Sequence, residues 1–158
     1  MNELKQLKAI IKKFTDLKKT LAIAESCTGG YISHMITNIS GASNVFDRGI
    51  VCYSNQSKIQ LLNVNDDDIE KHGAVSKSVA DQLAFNIRRL SNTDIGIGIT
   101  GIAGPTGGTK EKPVGLVYIG LSTIEKTEVH KFEFNADRIT FKKLVLEKIV
   151  DFLTELGE

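Results

Sequence analysis

Residues Thr20-Leu-Ala-Ile-Ala-Glu25 form a short apolar run that empties directly into Ser26-Cys-Thr-Gly-Gly30, after which Tyr31 to Ile39 reads as helix until Ser40-Gly41 stops it. A run of that length suits a buried strand, the glycines suit a tight turn, and the return of helical periodicity completes a strand-turn-helix unit. Units of this kind build sheets covered by helices. The step recurs: Val45 to Tyr53 mixes β-branched and aromatic residues around Gly49 and reads as a strand. Ser54 and Asn55 then supply capping residues, and Gln56 to Leu62 is helical.

The remaining segments extend the pattern. From Asn2 to Lys19, Leu4, Leu7, Ile10, Ile11, Phe14 and Leu17 recur at steps of three and four, with lysines on the other face, which predicts an amphipathic helix. Asp66 to Lys71 reads as one helical turn with acids at its start, and Ser76 to Leu90 as a longer helix. Asp94 to Thr100 alternates as a strand whose glycines mark a place where something packs close. A glycine-rich loop runs from Gly101 to Pro113. Val114 to Thr123 and Glu128 to Phe134 can pair as a hairpin, and Asp137 to Leu156 closes the chain as an amphipathic helix. The expected fold is three-layer α/β with a mixed, mostly parallel sheet and a C-terminal antiparallel hairpin.

At 158 residues one domain spanning 1–158 is expected, large enough for a hydrophobic core without disulfides or metal. Twenty Lys plus Arg against 19 Asp plus Glu give a net charge of +1, which argues against a nucleic-acid-coating role. No apolar run approaches the roughly 18 residues of a membrane span, and the Lys-rich start lacks a secretory core, so a cytoplasmic protein with no membrane partner is expected. The two cysteines, Cys27 and Cys52, stand in no ligand spacing, and no metal or cofactor is expected.

Ser26 lies where a strand enters a helix, with Thr28, Gly29 and Gly30 behind it. Unpaired helix N-terminal amides are expected around its hydroxyl, able to hold an anionic substrate group or an oxyanion; the alternative is that Ser26 or Thr28 simply caps the helix. None of His34, His72 or His130 stands in a triad signature. Lys58 follows Tyr53 by five residues, which places amine and phenol at one sheet edge. A partly desolvated lysine can take the serine proton while a tyrosine relays it or donates a hydrogen bond, although a solvated surface lysine fits the same spacing. The Gly98 to Gly108 stretch leaves a strand with enough glycine, Gly101 and Gly104 included, to approach a phosphate. It is neither a dinucleotide-binding fingerprint, since no helix follows, nor a P-loop, since Thr109 stands where the second glycine belongs. Arg138 at the start of the last helix suits a phosphate or a pairing with Asp137. Asp66-Asp67-Asp68 reads as capping rather than metal binding.

Taken together, Ala24-Glu-Ser-Cys-Thr-Gly-Gly30, Tyr53-Ser-Asn-Gln-Ser-Lys58, Gly73-Ala-Val-Ser76, Gly98-Ile-Thr-Gly-Ile-Ala-Gly-Pro105 and Pro113-Val-Gly-Leu-Val117 resemble the CinA C-terminal domain family, the nicotinamide-nucleotide amidohydrolases. Asn135-Ala-Asp-Arg138 matches the family's Gly-Asp-Arg pattern only in Asp-Arg, and Lys142 stands where an arginine is usual. The resemblance implies an α/β/α sandwich that hydrolyses the carboxamide of nicotinamide mononucleotide to nicotinic acid mononucleotide and ammonia, without metal or cofactor. It implies Ser26 as nucleophile, Lys58 as general base, Tyr53 as its partner, Thr100 at the reaction centre and Arg138 on the phosphate. It also implies a stand-alone form of the domain and a homo-oligomer. Two rivals are a nucleotide-binding module without chemistry, and hydrolysis with Cys27 as nucleophile. Against the second, Cys27 is expected to pack inward as a small apolar residue.

Overall fold

Alternation along one strand decides how the layers divide. In the computed structural model, which describes residues 2–158, the strand β1 (Leu21–Glu25) sends Leu21 and Ile23 into one core and Ala22 and Ala24 into the other. The first core lies under α1 (Asn2–Leu17), α2 (Tyr31–Thr37) and α6 (Arg138–Gly157). The second lies under α3 (Asn55–Leu62), α4 (Asp66–His72) and α5 (Lys77–Ser91). Between them, β2 (Phe46–Val51), β1, β3 (Ile95–Gly101), β4 (Leu116–Ser122) and β5 (Thr127–Glu133) form a five-stranded sheet in the order β2-β1-β3-β4-β5. β1 pairs in parallel with β2 and β3, whereas β4 is antiparallel to both β3 and β5, so β4 alone opposes the common direction. The protein is an α/β/α sandwich with a mixed sheet ending in an antiparallel hairpin.

The two faces of the sheet differ in side-chain size, and that difference sets the helix spacing. Ile95, Ile97 and Ile99 of β3 fill the first core, while Gly96 and Gly98 turn bare backbone toward α5. A β-carbon at Gly98 would collide with the backbone of Ala80 and Ala84, and one at Gly120 of β4 with the Ala80 carbonyl. These glycines admit the close approach that their pattern implied, and the approaching element is α5.

Ser54, Asn65, Ser76 and Asp137 cap α3, α4, α5 and α6 through side-chain oxygens that accept main-chain N–H bonds. Element ends shift from the sequence expectation by a few residues. The strand expected over Val45 to Tyr53 is confined to Phe46–Val51, because Val45 ends the 3₁₀ turn Ala42–Asn44. The helix expected to reach Ile39 stops at Thr37. Among the described residues no helix is long and apolar enough to cross a membrane.

Gly98→Ala is expected to lower the unfolding free energy by about 1–3 kcal/mol through overpacking against α5. Ile124→Ser, at an 84% exposed position in the hairpin connection, is expected to stay within about 0.5 kcal/mol of the parent. Urea midpoints at constant m-value measure both.

Candidate active site

The site is assembled at the end of β1, where the chain is pinned on both sides. The Cys52 amide donates to the Glu25 carbonyl at 2.8 Å, and the Ser26 amide donates to the Ile99 carbonyl of β3 at 3.1 Å. Beyond this point the chain turns through Gly29 and Gly30, with φ of 59° and 94°, conformations that glycine adopts without strain. The carboxylate of Glu25, fully buried, fills the inside of the turn. One oxygen accepts from Thr28 Oγ1 at 2.6 Å, Gly30 N at 3.0 Å and Ile32 N at 3.1 Å. The other accepts from Ser33 N at 2.7 Å and Ser33 Oγ at 2.6 Å.

This network corrects the expectation that helix amides surround the serine hydroxyl. The carboxylate immediately before Ser26 reaches those amides first, and a buried carboxylate needs every donor it can find. Thr28, Gly29 and Gly30 consequently stand behind the site and do not line it. Gly29 instead faces Lys142 Nζ, 3.7 Å from where its β-carbon would be.

Ser26, only 7% exposed, donates its hydroxyl to the Tyr53 carbonyl at 3.4 Å. Lys58 Nζ donates to the same carbonyl at 3.1 Å. The helix α3 makes this possible: Ser54 caps it by accepting from Ser57 N at 3.0 Å, and Lys58 is delivered from its first turn back over the preceding Tyr53. Lys58 is 2% exposed and has no carboxylate partner among the described residues. Burial pushes its amine below the usual lysine range, with Cys52 and Cys27 acting weakly the other way. A single hydrogen bond leaves an ammonium short of acceptors, whereas it leaves a neutral amine a lone pair for proton transfer.

The tyrosine contributes differently from the expectation. Its main chain, rather than its phenol, meets the serine and the lysine. The phenol is half-exposed and accepts from Arg138 Nη2 at 2.7 Å. Arg138 Nη1 also donates to the Gly104 carbonyl at 2.6 Å. The arginine thus ties the start of α6 to the glycine loop and to Tyr53, and Asp137 is occupied in capping α6. Thr100, at the end of β3, is buried and donates to the Ala74 carbonyl at 2.8 Å. A cleft of about 340 Å³ is lined by Ser26, Tyr53, Lys58, Thr100, Gly104 and Arg138, and Gly101 lines it as well. Gly104, Thr106 and Gly107 line it too, and their amides have no hydrogen-bond partner among the described residues.

The three histidines lie outside the cleft. His34 bonds Asn38, His72 ends α4 with its carbonyl accepting from Lys112 Nζ, and the His130 ring packs 4.5 Å from Phe152. Burial pushes the Cys27 thiol up to about 12 and the Cys52 thiol to about 11, so neither yields a thiolate near neutrality. Cys27 packs in the first core, as its apolar reading implied. Asp68 accepts from Gln82 Nε2 at 2.9 Å in the first turn of α4. The residue that the sequence reading passed over is Glu25. Its signal was a charged residue ending an otherwise apolar strand, with hydroxyl and glycine residues at the next turn.

A family model for the CinA C-terminal domain matches residues 4–156. A competence-damage inducible protein of Thermoanaerobacter pseudethanolicus is 53% identical over 129 residues, 82% of this chain and 31% of that relative. The chain spans about a third of the length of the curated relatives it matches. The crystal structure of a competence/damage inducible protein from Agrobacterium tumefaciens superposes with a TM-score of 0.96 at 34% identity, covering 100% of this chain and 97% of that one. A CinA superfamily protein from Klebsiella pneumoniae gives a TM-score of 0.94 at 25% identity, covering 99% and 98%.

The buried amine carries a consequence for stability. With the Lys58 pKa lower in the folded chain than in the unfolded one, the unfolded chain holds the extra proton. Stability therefore rises with pH from the folded value of Lys58 up to about 10.4, the unfolded reference. Lys58→Met is expected to be more stable than the parent by about 0.5–2 kcal/mol at pH 7, and the gap is expected to close toward pH 10. Urea unfolding of both proteins at the two pH values measures this; a methionine variant weaker than the parent at pH 7 contradicts it.

Proposed function

Because the chain belongs to the CinA C-terminal domain family, we propose that it is an amidohydrolase of nicotinamide mononucleotide. It releases ammonia and nicotinic acid mononucleotide in pyridine nucleotide salvage, in the cytoplasm, as a homo-oligomer and without metal or cofactor. The observation that supports this reading best is the shared carbonyl: a nearly buried serine hydroxyl and a buried lysine amine, without a carboxylate partner among the described residues, both donate to the Tyr53 oxygen.

The neutral Lys58 amine takes the Ser26 proton as Oγ attacks the carboxamide carbon. Negative charge grows on the substrate oxygen, and main-chain amides lining the cleft receive it, that of Cys27 next to the nucleophile among them. The lysine then returns the proton to the departing nitrogen, the carbon–nitrogen bond breaks, and ammonia leaves an ester on Ser26. Water loses a proton to the same amine and attacks the ester, which gives the carboxylic acid and restores the serine. Arg138, held by Tyr53 and Gly104, and the free amides of the glycine loop present positive charge to the nucleotide phosphate. Thr100 bounds the reaction centre.

Ser26→Ala is expected to lose about 1,000-fold or more in kcat for ammonia release from nicotinamide mononucleotide. Lys58→Arg is expected to be nearly inactive because a guanidinium stays charged, whereas Cys27→Ala keeps most of its rate. In the parent, kcat/KM is expected to rise with pH at an apparent pKa well below about 10.4. Substantial turnover by the arginine variant removes Lys58 from the base role, and tight nucleotide binding by a parent without turnover favours a binding module.

A further inference from the structure

We propose that Glu25 is the positioning residue of the nucleophile: its carboxylate fixes the direction in which Ser26 leaves the sheet. The inference rests on the serine reading given above and adds a residue which touches neither the cleft nor a reacting atom. The carboxylate is fully buried and has no cationic partner among the described residues. Its charge is held entirely by five donors. Those donors come from two different places. Thr28 Oγ1 and Gly30 N belong to the turn that follows Ser26, whereas Ile32 N, Ser33 N and Ser33 Oγ belong to the first turn of α2.

One rigid group therefore joins the strand end, the turn and the helix. With the main chain of residues 25 and 26 already bonded to Cys52 and Ile99, Ser26 keeps little freedom about its own backbone. β2 makes room for the arrangement, since a β-carbon at Gly49 would collide with Ser33 Oγ. The part of the cleft that faces the phosphate, Arg138 and the glycine loop, makes no contact with Glu25. Loosening the carboxylate should thus disturb the attack geometry while leaving substrate capture intact. Misplacement of a nucleophile by about 1 Å lowers rates by about 100-fold.

Ammonia release from nicotinamide mononucleotide by Glu25→Gln, Thr28→Val, Thr28→Ser and Ser33→Ala, with Tm in parallel, tests the inference. An amide at position 25 must set its NH₂ against at least one donor, so Glu25→Gln is expected to lose about 100-fold in kcat with KM within about twofold of the parent. Thr28→Val is expected to lose about tenfold in kcat, Ser33→Ala to lose several-fold, and Thr28→Ser, which keeps the hydroxyl, to stay near the parent. A folded Glu25→Gln with kcat within about threefold of the parent overturns the proposal, as does a serine variant at position 28 as slow as the valine variant. If Glu25→Gln does not fold, the two position-28 variants decide. A parent that releases no ammonia overturns the amidohydrolase reading and the inference with it, whereas a parent that does so beside a fast Glu25→Gln overturns the inference alone.

Discussion

A carboxylate without solvent and without a cation persists only where hydrogen-bond donors surround it, and at Glu25 both oxygens are saturated by donors from the turn and the helix that follow. The rest of the structure is arranged around that requirement. β1 brings the residue between β2 and β3, the glycines at positions 29 and 30 curl the chain back over it, and the start of α2 supplies amides that would otherwise face solvent. The positive end of the helix dipole points at the same charge. A substrate anion at this helix start would compete with a partner already in place.

The consequence for the site is a division of labour. On the proposed function, charge recognition falls to Arg138 and the loop amides rather than to the helix start, while the turn only has to hold Ser26 still. Across the cleft, α3 returns Lys58 to a position where its own charged form is poorly solvated. Burying a cation without a counter-ion is unfavourable for folding, yet it is what a base operating below the usual lysine range requires. The Tyr53 carbonyl joins the two halves by accepting from both the hydroxyl and the amine, and the Tyr53 phenol extends the connection to Arg138.

Much of this architecture was legible in the sequence because it follows from local rules. The apolar run before Ser26, the caps at Ser54 and Ser76, and the alternating glycines of β3 each announce an element or a close approach through residue chemistry alone. The gathering of Ser26, Lys58, Thr100 and Arg138 around one cleft follows from strands that end on the same edge. What the residues did not announce depends on tertiary competition. Glu25 stands inside the run that predicts β1, and only the folded chain shows its carboxylate occupying the amides of Gly30, Ile32 and Ser33. Thr28, Gly29 and Gly30 were placed at the substrate for the same reason. The Tyr53 phenol was paired with Lys58 because five residues separate them, but spacing does not reveal that the backbone oxygen lies nearer the amine while the ring turns outward to Arg138.

The protonation state of one side chain decides whether this arrangement can activate a serine. NMR titration of the labelled lysine side chains, with the Lys58 resonance assigned by its disappearance in a variant lacking it, measures that state directly. The account predicts that Lys58 loses its proton below about 10.4, the reference for an unperturbed lysine. A Lys58 resonance that stays protonated up to that reference value, or beyond it, contradicts the account.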